Sequence, residues 1–120
     1  MGRASHCEAG ARGGLLMFLW IDDIRTPPCD KWLWARSVKE AIAAIKCYDR
    51  SFTSDIIYIS LDHDAGDFGA DGGDYIRVLD WLEQTGIVDT GYFFHLHTQN
   101  PVGRENMERI IRKNGWRLVK

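Results

Sequence analysis

Residues 15–23 read LLMFLWIDD, an apolar run that stops abruptly at two aspartates. The run is too short to span a membrane, and it leads into Asp22 and Asp23 rather than into a small-residue cleavage site. A buried strand ending at a polar turn is the simpler reading. Two other stretches have the same form: residues 56–61 (IIYISL) run into Asp62-His63-Asp64, and residues 92–97 (YFFHLH) run into Thr98 ahead of Asn100. Nearly continuous apolar runs are expected of parallel strands buried on both faces. Adding two shorter segments gives five predicted strands: Leu15–Asp22, Trp32–Ala35, Ile56–Leu61, Tyr92–His97 and Trp116–Val119.

Between these strands lie stretches with helical periodicity, the alternation that produces a parallel sheet covered by helices. Ser37-Val38-Lys39-Glu40 is a capping box, and Val38, Ala41, Ile42 and Ile45 follow at helical spacing. A second helix is predicted from about Gly73 to Glu83, with Gly86 as its stop. The third opens on Asn100 as cap with Pro101 in the first helical position, and Asn114-Gly115 ends it. Only residues 23–31, with Pro27-Pro28, separate the first two strands, so the first helix is reduced to a single turn at most. The expectation is a three-layer flavodoxin- or receiver-like α/β domain, with a five-stranded parallel sheet in the order 2-1-3-4-5.

At 120 residues the chain fits one domain with its own core. Residues 15–120 are assigned to that domain. Residues 1–14, rich in Gly, Ala and Arg without apolar periodicity, are assigned to a disordered tail, which leaves Met17 as an alternative start. A net charge of −2 offers no electrostatic footprint for duplex DNA. The three cysteines fall in no metal-ligand spacing and read as reduced thiols of a cytoplasmic protein.

In open parallel sheets ligands bind beyond the carboxyl ends of the strands, where strand order reverses. Asp22-Asp23, Asp62-His63-Asp64 and His97-Thr98 all fall at such ends. Crowded carboxylates repel one another unless a cation, a proton or an arginine neutralises them, and a divalent ion held through oxygen ligands is the simplest neutraliser. Asp22, Asp23 and Asp62 are the expected ligands, with Mg²⁺ or Mn²⁺ the expected ion. Asp62, Asp64 and His97 are candidate catalytic groups. His97 is placed at the mouth of the site for proton transfer, whereas His95, on the same strand face, is assigned to packing. The start of the third helix, with Asn100, Gly103 and Arg104, is read as a phosphate cradle. Residues 64–74 (DAGDFGADGGD) lack the ligand offsets of a calcium-binding EF-hand loop and are read as a flexible glycine lid.

Four ordered motifs, LWIDDIRTPP, ISLDHD, GGDYIRVLDWL and HLHTQNPVGRENM, resemble the cyclic-phosphate-processing receiver-like family, a divergent relative of response-regulator receivers. The resemblance spans roughly residues 18 to 116. It implies a flavodoxin-like sheet and a role in recognising or hydrolysing cyclic phosphates in prokaryotic RNA repair or nucleotide signalling. Its pattern marks Asp22, Asp23 and Arg25; Asp62, His63 and Asp64; Gly73 and Asp74; and His97, Asn100, Pro101, Gly103 and Asn106, with Thr98 at a position usually held by a small hydroxyl residue. Arg25, His63, Asp74, Thr98, Asn100, Gly103, Arg104 and Asn106 are thus the expected phosphate-binding set. The expected partner is a small cyclic phosphate or nucleotide, or an RNA end, with neither duplex DNA nor membrane. Three functions fit: a metal-dependent phosphoesterase, a phosphoryl-accepting receiver with Asp62 as acceptor, and a non-catalytic sensor.

Overall fold

The computed structural model describes residues 16–47, 56–85 and 91–119. Five strands, β1 (Leu16–Ile21), β2 (Trp32–Ala35), β3 (Ile56–Leu61), β4 (Tyr92–Leu96) and β5 (Arg117–Val119), pair in parallel in the order β2-β1-β3-β4-β5. Three helices, α1 (Val38–Cys47), α2 (Ile76–Gln84) and α3 (Pro101–Lys113), follow β2, β3 and β4. This is the receiver- or flavodoxin-like fold expected from the sequence. The 23–31 connection forms turns and no helix. The expected tail and the Gly86 stop lie outside the described residues.

Local chemistry explains the helix boundaries. Ser37 Oγ accepts the Glu40 backbone N–H at 3.0 Å, and the Glu40 carboxylate reaches back to the Arg36 N–H at 2.9 Å. Asn100 Oδ1 accepts the Gly103 N–H at 3.0 Å, with Pro101 beginning α3. The second helix starts later than its periodicity suggests, because Gly73 has φ 94°, outside the helical region.

Right-handed crossovers decide where the helices go. The steps β2 to β3, β3 to β4 and β4 to β5 all move the same way across the sheet, so α1, α2 and α3 share one face, whereas β1 to β2 steps the other way. Helix neighbours α1–α2 and α2–α3 accordingly touch each other. Met17, Leu19, Ile21, Ile57, Ile59, Leu61, Phe94 and Leu96 point into this helical layer and are buried with Val78, Leu79, Leu82, Met107 and Ile111. Among the described residues, only the 23–31 connection is available as cover for the opposite face. Its strand residues Phe18, Trp20, Tyr58 and Phe93 are therefore half-buried rather than enclosed, which corrects the expectation of strands buried on both sides.

Cys29 is free and exposed, as a reduced thiol would be. Cys7 lies outside the described residues. No helix among the described residues is long and apolar enough to cross a membrane.

The capping box yields a direct test. Ser37→Ala removes the acceptor for the Glu40 N–H and should cost about 1 kcal/mol, read as a lower urea midpoint at unchanged slope.

Candidate functional site at the carboxyl edge of the sheet

Strand pairing continues one residue past the ends of β1, β3 and β4: the Asp62 N–H donates to Ile21 O, the His97 N–H to Leu61 O, and the Asp22 N–H to Ala35 O. This ladder fixes Asp22, Asp62 and His97 side by side. Asp22, Asp23 and Asp62 each offer a carboxylate oxygen, and these atoms all lie within 4.8 Å of one another. All are hard oxygen donors, the set suited to a divalent cation such as Mg²⁺.

The three carboxylates are not equivalent. Asp22 is buried, 1 % exposed. Its Oδ1 accepts the Ile24 and Arg25 backbone N–H groups at 3.0 and 3.1 Å, and its Oδ2 lies 2.8 Å from His97 Nε2 and 3.8 Å from an Arg25 Nη. Burial alone pushes its pKa up, but the Ile24 N–H, the His97 bond and the Arg25 N–H outweigh it, so Asp22 titrates below the ordinary carboxylate value. Asp23 is displaced the other way, by burial first and then by its bond to Asp22 and the charges of Asp22 and Asp62. Asp22 thus ionises more readily than an ordinary carboxylate and Asp23 less readily. With three carboxylate oxygens this close together, the residues present fit a divalent ion.

His97 is not at the mouth. Its imidazole is sandwiched in a polar column: Nε2 meets Asp22, Nδ1 lies 2.9 Å from Ser60 Oγ, and its ring stacks on Trp20 with centroids 4.1 Å apart. Ser60 Oγ in turn lies 3.0 Å from His95 Nδ1. The protons can be ordered along this column. An ionised Asp22 only accepts, so His97 Nε2 carries the proton; its Nδ1 then accepts the Ser60 hydroxyl, and Ser60 accepts from His95 Nδ1–H. Burial lowers the His97 pKa, although Asp22 and Asp62 push it up, and a neutral ring is the form this ordering requires. Both nitrogens are engaged, so His97 positions Asp22. His95, expected only to pack, is the other end of the column and borders a cavity of about 240 Å³ with Arg104 and Glu108.

A second group lies at the end of β3. His63 Nδ1 is 2.8 Å from Asp64 Oδ1, which also meets Asn100 Nδ2 at 3.5 Å. The His63 ring packs on Gly103 so closely that a Cβ there would sit 2.5 Å from its Cγ. Gly103 is small for the sake of this histidine. As a phosphate cradle, the start of α3 is thinner than expected, since Pro101 has no N–H and the Gly103 N–H is taken by Asn100.

Other expected phosphate ligands hold the loops together. Asp74 Oδ1 accepts the Ala65 N–H at 3.0 Å, closing the 64–74 loop. Thr98 is buried, with its Oγ1 accepting the Asn100 N–H at 3.1 Å and its carbonyl accepting an Arg104 Nη–H at 2.8 Å. Arg25 donates to the His97 carbonyl at 3.0 Å, and Asn106 accepts from Arg109 along α3 at 3.1 Å. The glycine-rich loop is pinned rather than loose: the Lys39 N–H donates to Asp71 O at 3.3 Å, and Gly66, at φ 56°, presses against the Asp23 carboxylate where a Cβ would collide.

Ser60, Tyr75 and Arg36 escaped the sequence reading. Tyr75 is fully buried and donates to Arg36 O at 2.7 Å, while the Arg36 side chain donates to the Asp23 carbonyl at 2.6 and 3.0 Å, framing the carboxylates from α1's side.

The model of one protein family, the cyclic-phosphate processing receiver domain, matches residues 17–113. No curated protein and no solved structure matches the chain.

The His97 environment predicts a pH signature. Its folded pKa lies below the unfolded value of 6.5, so the unfolded chain takes up the proton first and stability falls as pH drops from about that value toward the folded pKa. In chelator, acidification from neutrality toward pH 5 should lower the melting temperature of the wild type more than that of His97→Gln. Parallel pH profiles would show that His97 does not carry this dependence.

Proposed function

Because the chain belongs to the family of cyclic-phosphate processing receiver domains, we propose that it is a metal-dependent phosphoesterase acting on a cyclic or nucleotide-derived phosphate at the carboxyl edge of its sheet. The observation that carries this reading is the convergence of one carboxylate oxygen each from Asp22, Asp23 and Asp62 within 4.8 Å of one another. These residues would hold Mg²⁺ or Mn²⁺, which when bound supplies Lewis-acid polarisation of a phosphoryl oxygen and a more acidic water.

The rest of the chemistry falls to the chain's own side chains. Asp22 keeps its orientation through Ile24, Arg25 and His97. His63 and Asp64 form the better proton-transfer pair. Engagement of His63 Nδ1 by Asp64 leaves Nε2 as the ring atom able to take or give a proton, and Asp64 is 60 % exposed beside it. Arg25, 46 % exposed and next to the carboxylates, can meet a phosphoryl oxygen. The catalytic role first given to His97 passes to His63, since His97 has no nitrogen to spare.

A non-catalytic sensor is the second reading. It is favoured by one observation: the histidine nearest the carboxylates is sequestered in the polar column, which suits holding a ligand better than turning it over.

Two experiments follow. Calorimetric titration with Mg²⁺ and Mn²⁺ should show binding to the wild type that Asp62→Asn loses, with Asp62→Asn at least as stable as wild type in chelator because one member of a repelling group is gone. Equal ion affinity in the two proteins removes the metal site. Incubation with a panel of cyclic and linear phosphodiesters, followed by mass spectrometry of the products, should then reveal turnover that His63→Gln cuts by about 10²–10⁴-fold. Binding of a cyclic phosphate without product in the wild type would establish the sensor instead.

A further inference from the structure

Several contacts that hold Asp23 from outside the carboxylate cluster meet on one side chain, Arg36, just past the end of β2. Its guanidinium donates twice to the Asp23 carbonyl, from Nε at 3.0 Å and from an Nη at 2.6 Å. The same guanidinium lies over two rings, with Cζ 4.8 Å from the ring centroid of Trp34 and 4.8 Å from that of Phe68. Its backbone is fixed on both sides, since the N–H donates to Glu40 and the carbonyl accepts the Tyr75 hydroxyl. Phe68 closes the short 3₁₀ turn Gly66–Phe68 of the 64–74 loop, and Gly66 of that turn presses on the Asp23 carboxylate. The turn therefore meets Asp23 at both ends: directly at its carboxylate through Gly66, and at its carbonyl through Phe68 and Arg36.

We propose that Arg36 is a positioning residue which, together with Phe68, sets the aim of the Asp23 carboxylate and so couples docking of the 64–74 loop to the aspartate site.

Arg36 acts here by geometry rather than by charge. Both of its donors on Asp23 go to a carbonyl, and among the described residues no ion pair joins Arg36 to a carboxylate. A planar fork with two N–H groups on one oxygen fixes that oxygen in direction as well as distance, which an ammonium on a flexible stem does not. The Asp23 carbonyl and the Ile24 N–H belong to one planar peptide, and the N–H end is held by Asp22 Oδ1 at 3.0 Å. Arg36 and Asp22 thus grip the same plane from its two sides. The carbonyl and the carboxylate of Asp23 share one Cα, so fixing the first limits where the second can point. The preceding carbonyl, of Asp22, is held in the same manner by the Trp34 indole N–H at 2.9 Å. Phe68 brings the loop into this arrangement: it is half-buried against the core, and its ring holds the plane of an exposed arginine that is otherwise free to change rotamer. Linkage then runs in both directions, because whatever a seated loop adds to affinity at the carboxylates, a ligand bound there adds to the seating of the loop.

The consequence for ion affinity rests on reading the edge site as a cation site, and the test separates the two. Arg36→Lys keeps the charge and loses the fork, Phe68→Leu keeps apolar bulk and loses the ring, and Phe68→Tyr keeps the ring. Amide hydrogen exchange by NMR, in chelator, reads the Asp23–Ile24 peptide without any ion. The Ile24 N–H should lose protection in Arg36→Lys and Phe68→Leu and keep it in Phe68→Tyr, while that of Ile59, buried in β3, stays as in the wild type. Calorimetry with Mg²⁺ should give an affinity lower by roughly 5- to 150-fold for Arg36→Lys and by roughly 2- to 5-fold for Phe68→Leu, the ranges of a site-to-site coupling and of an exposed cation–π contact. In the wild type, Mg²⁺ should in turn raise the protection of the Phe68 and Gly69 N–H groups, which bond to the Ala65 and Gly66 carbonyls. Unchanged protection at Ile24 in both variants overturns the proposal, and so does a loss that Ile59 shares, because that is a loss of global stability. Wild-type Mg²⁺ affinity in both variants overturns it as well. If the wild type binds no Mg²⁺ although Ile24 responds as expected, the positioning role of Arg36 stands and the cation reading of the site falls.

Discussion

A right-twisted strand leads into a helix that returns to the sheet with one hand, and this constraint organises the whole molecule. β1 is the pivot: the chain steps one way to β2 and the other way to β3, β4 and β5. The three described helices consequently crowd one face, and among the described residues the short 23–31 connection is left to the other. The same reversal opens the crevice where the ends of β1 and β3 meet, so the carboxylate site and the half-open aromatic face are two outcomes of one topological fact. Neither needs a separate explanation.

Within that frame the polar column His95–Ser60–His97–Asp22 is unusual for a sheet so apolar. A buried hydroxyl and imidazole are tolerated only when each donor meets an acceptor, and here the ionised end at Asp22 orders the protons along the column. The column spans β4, β3 and the end of β1 and so couples three strands by side chains as well as by backbone. Electrostatic stress collects instead on Asp23, wedged between two other carboxylates and capped by the Gly66 turn.

Much of this was legible in residue order. Apolar runs that end in Asp, with Ser37 and Asn100 as helix caps, define the strands, the helices and the edge where the carboxylates gather, because each depends on local chemistry. The two faces of β1, β3 and β4 were not separable, since Phe18, Trp20, Tyr58 and Phe93 read as apolar whether a helix covers them or not. The roles of the histidines were equally hidden. Alternation puts His95 and His97 on one face, but only the position of Ser60 on the adjacent strand, and of Asp22 beyond it, shows that His97 is enclosed. Gly103 looked like a phosphate approach because its nearest neighbour, His63, comes from a strand end forty residues earlier.

The stacking of Trp20 on His97, ring planes 4° apart, gives the site an optical property. An excited indole passes an electron readily to a protonated imidazole and much less readily to a neutral one. Its emission therefore reports on the ring it faces. Trp20 also binds the Arg25 carbonyl through its indole N–H, and Trp34 donates to the Asp22 carbonyl at 2.9 Å, so two indoles are anchored to the backbone that shapes the carboxylate cluster. Events at the cluster should register in the intrinsic emission of the protein, with no label attached.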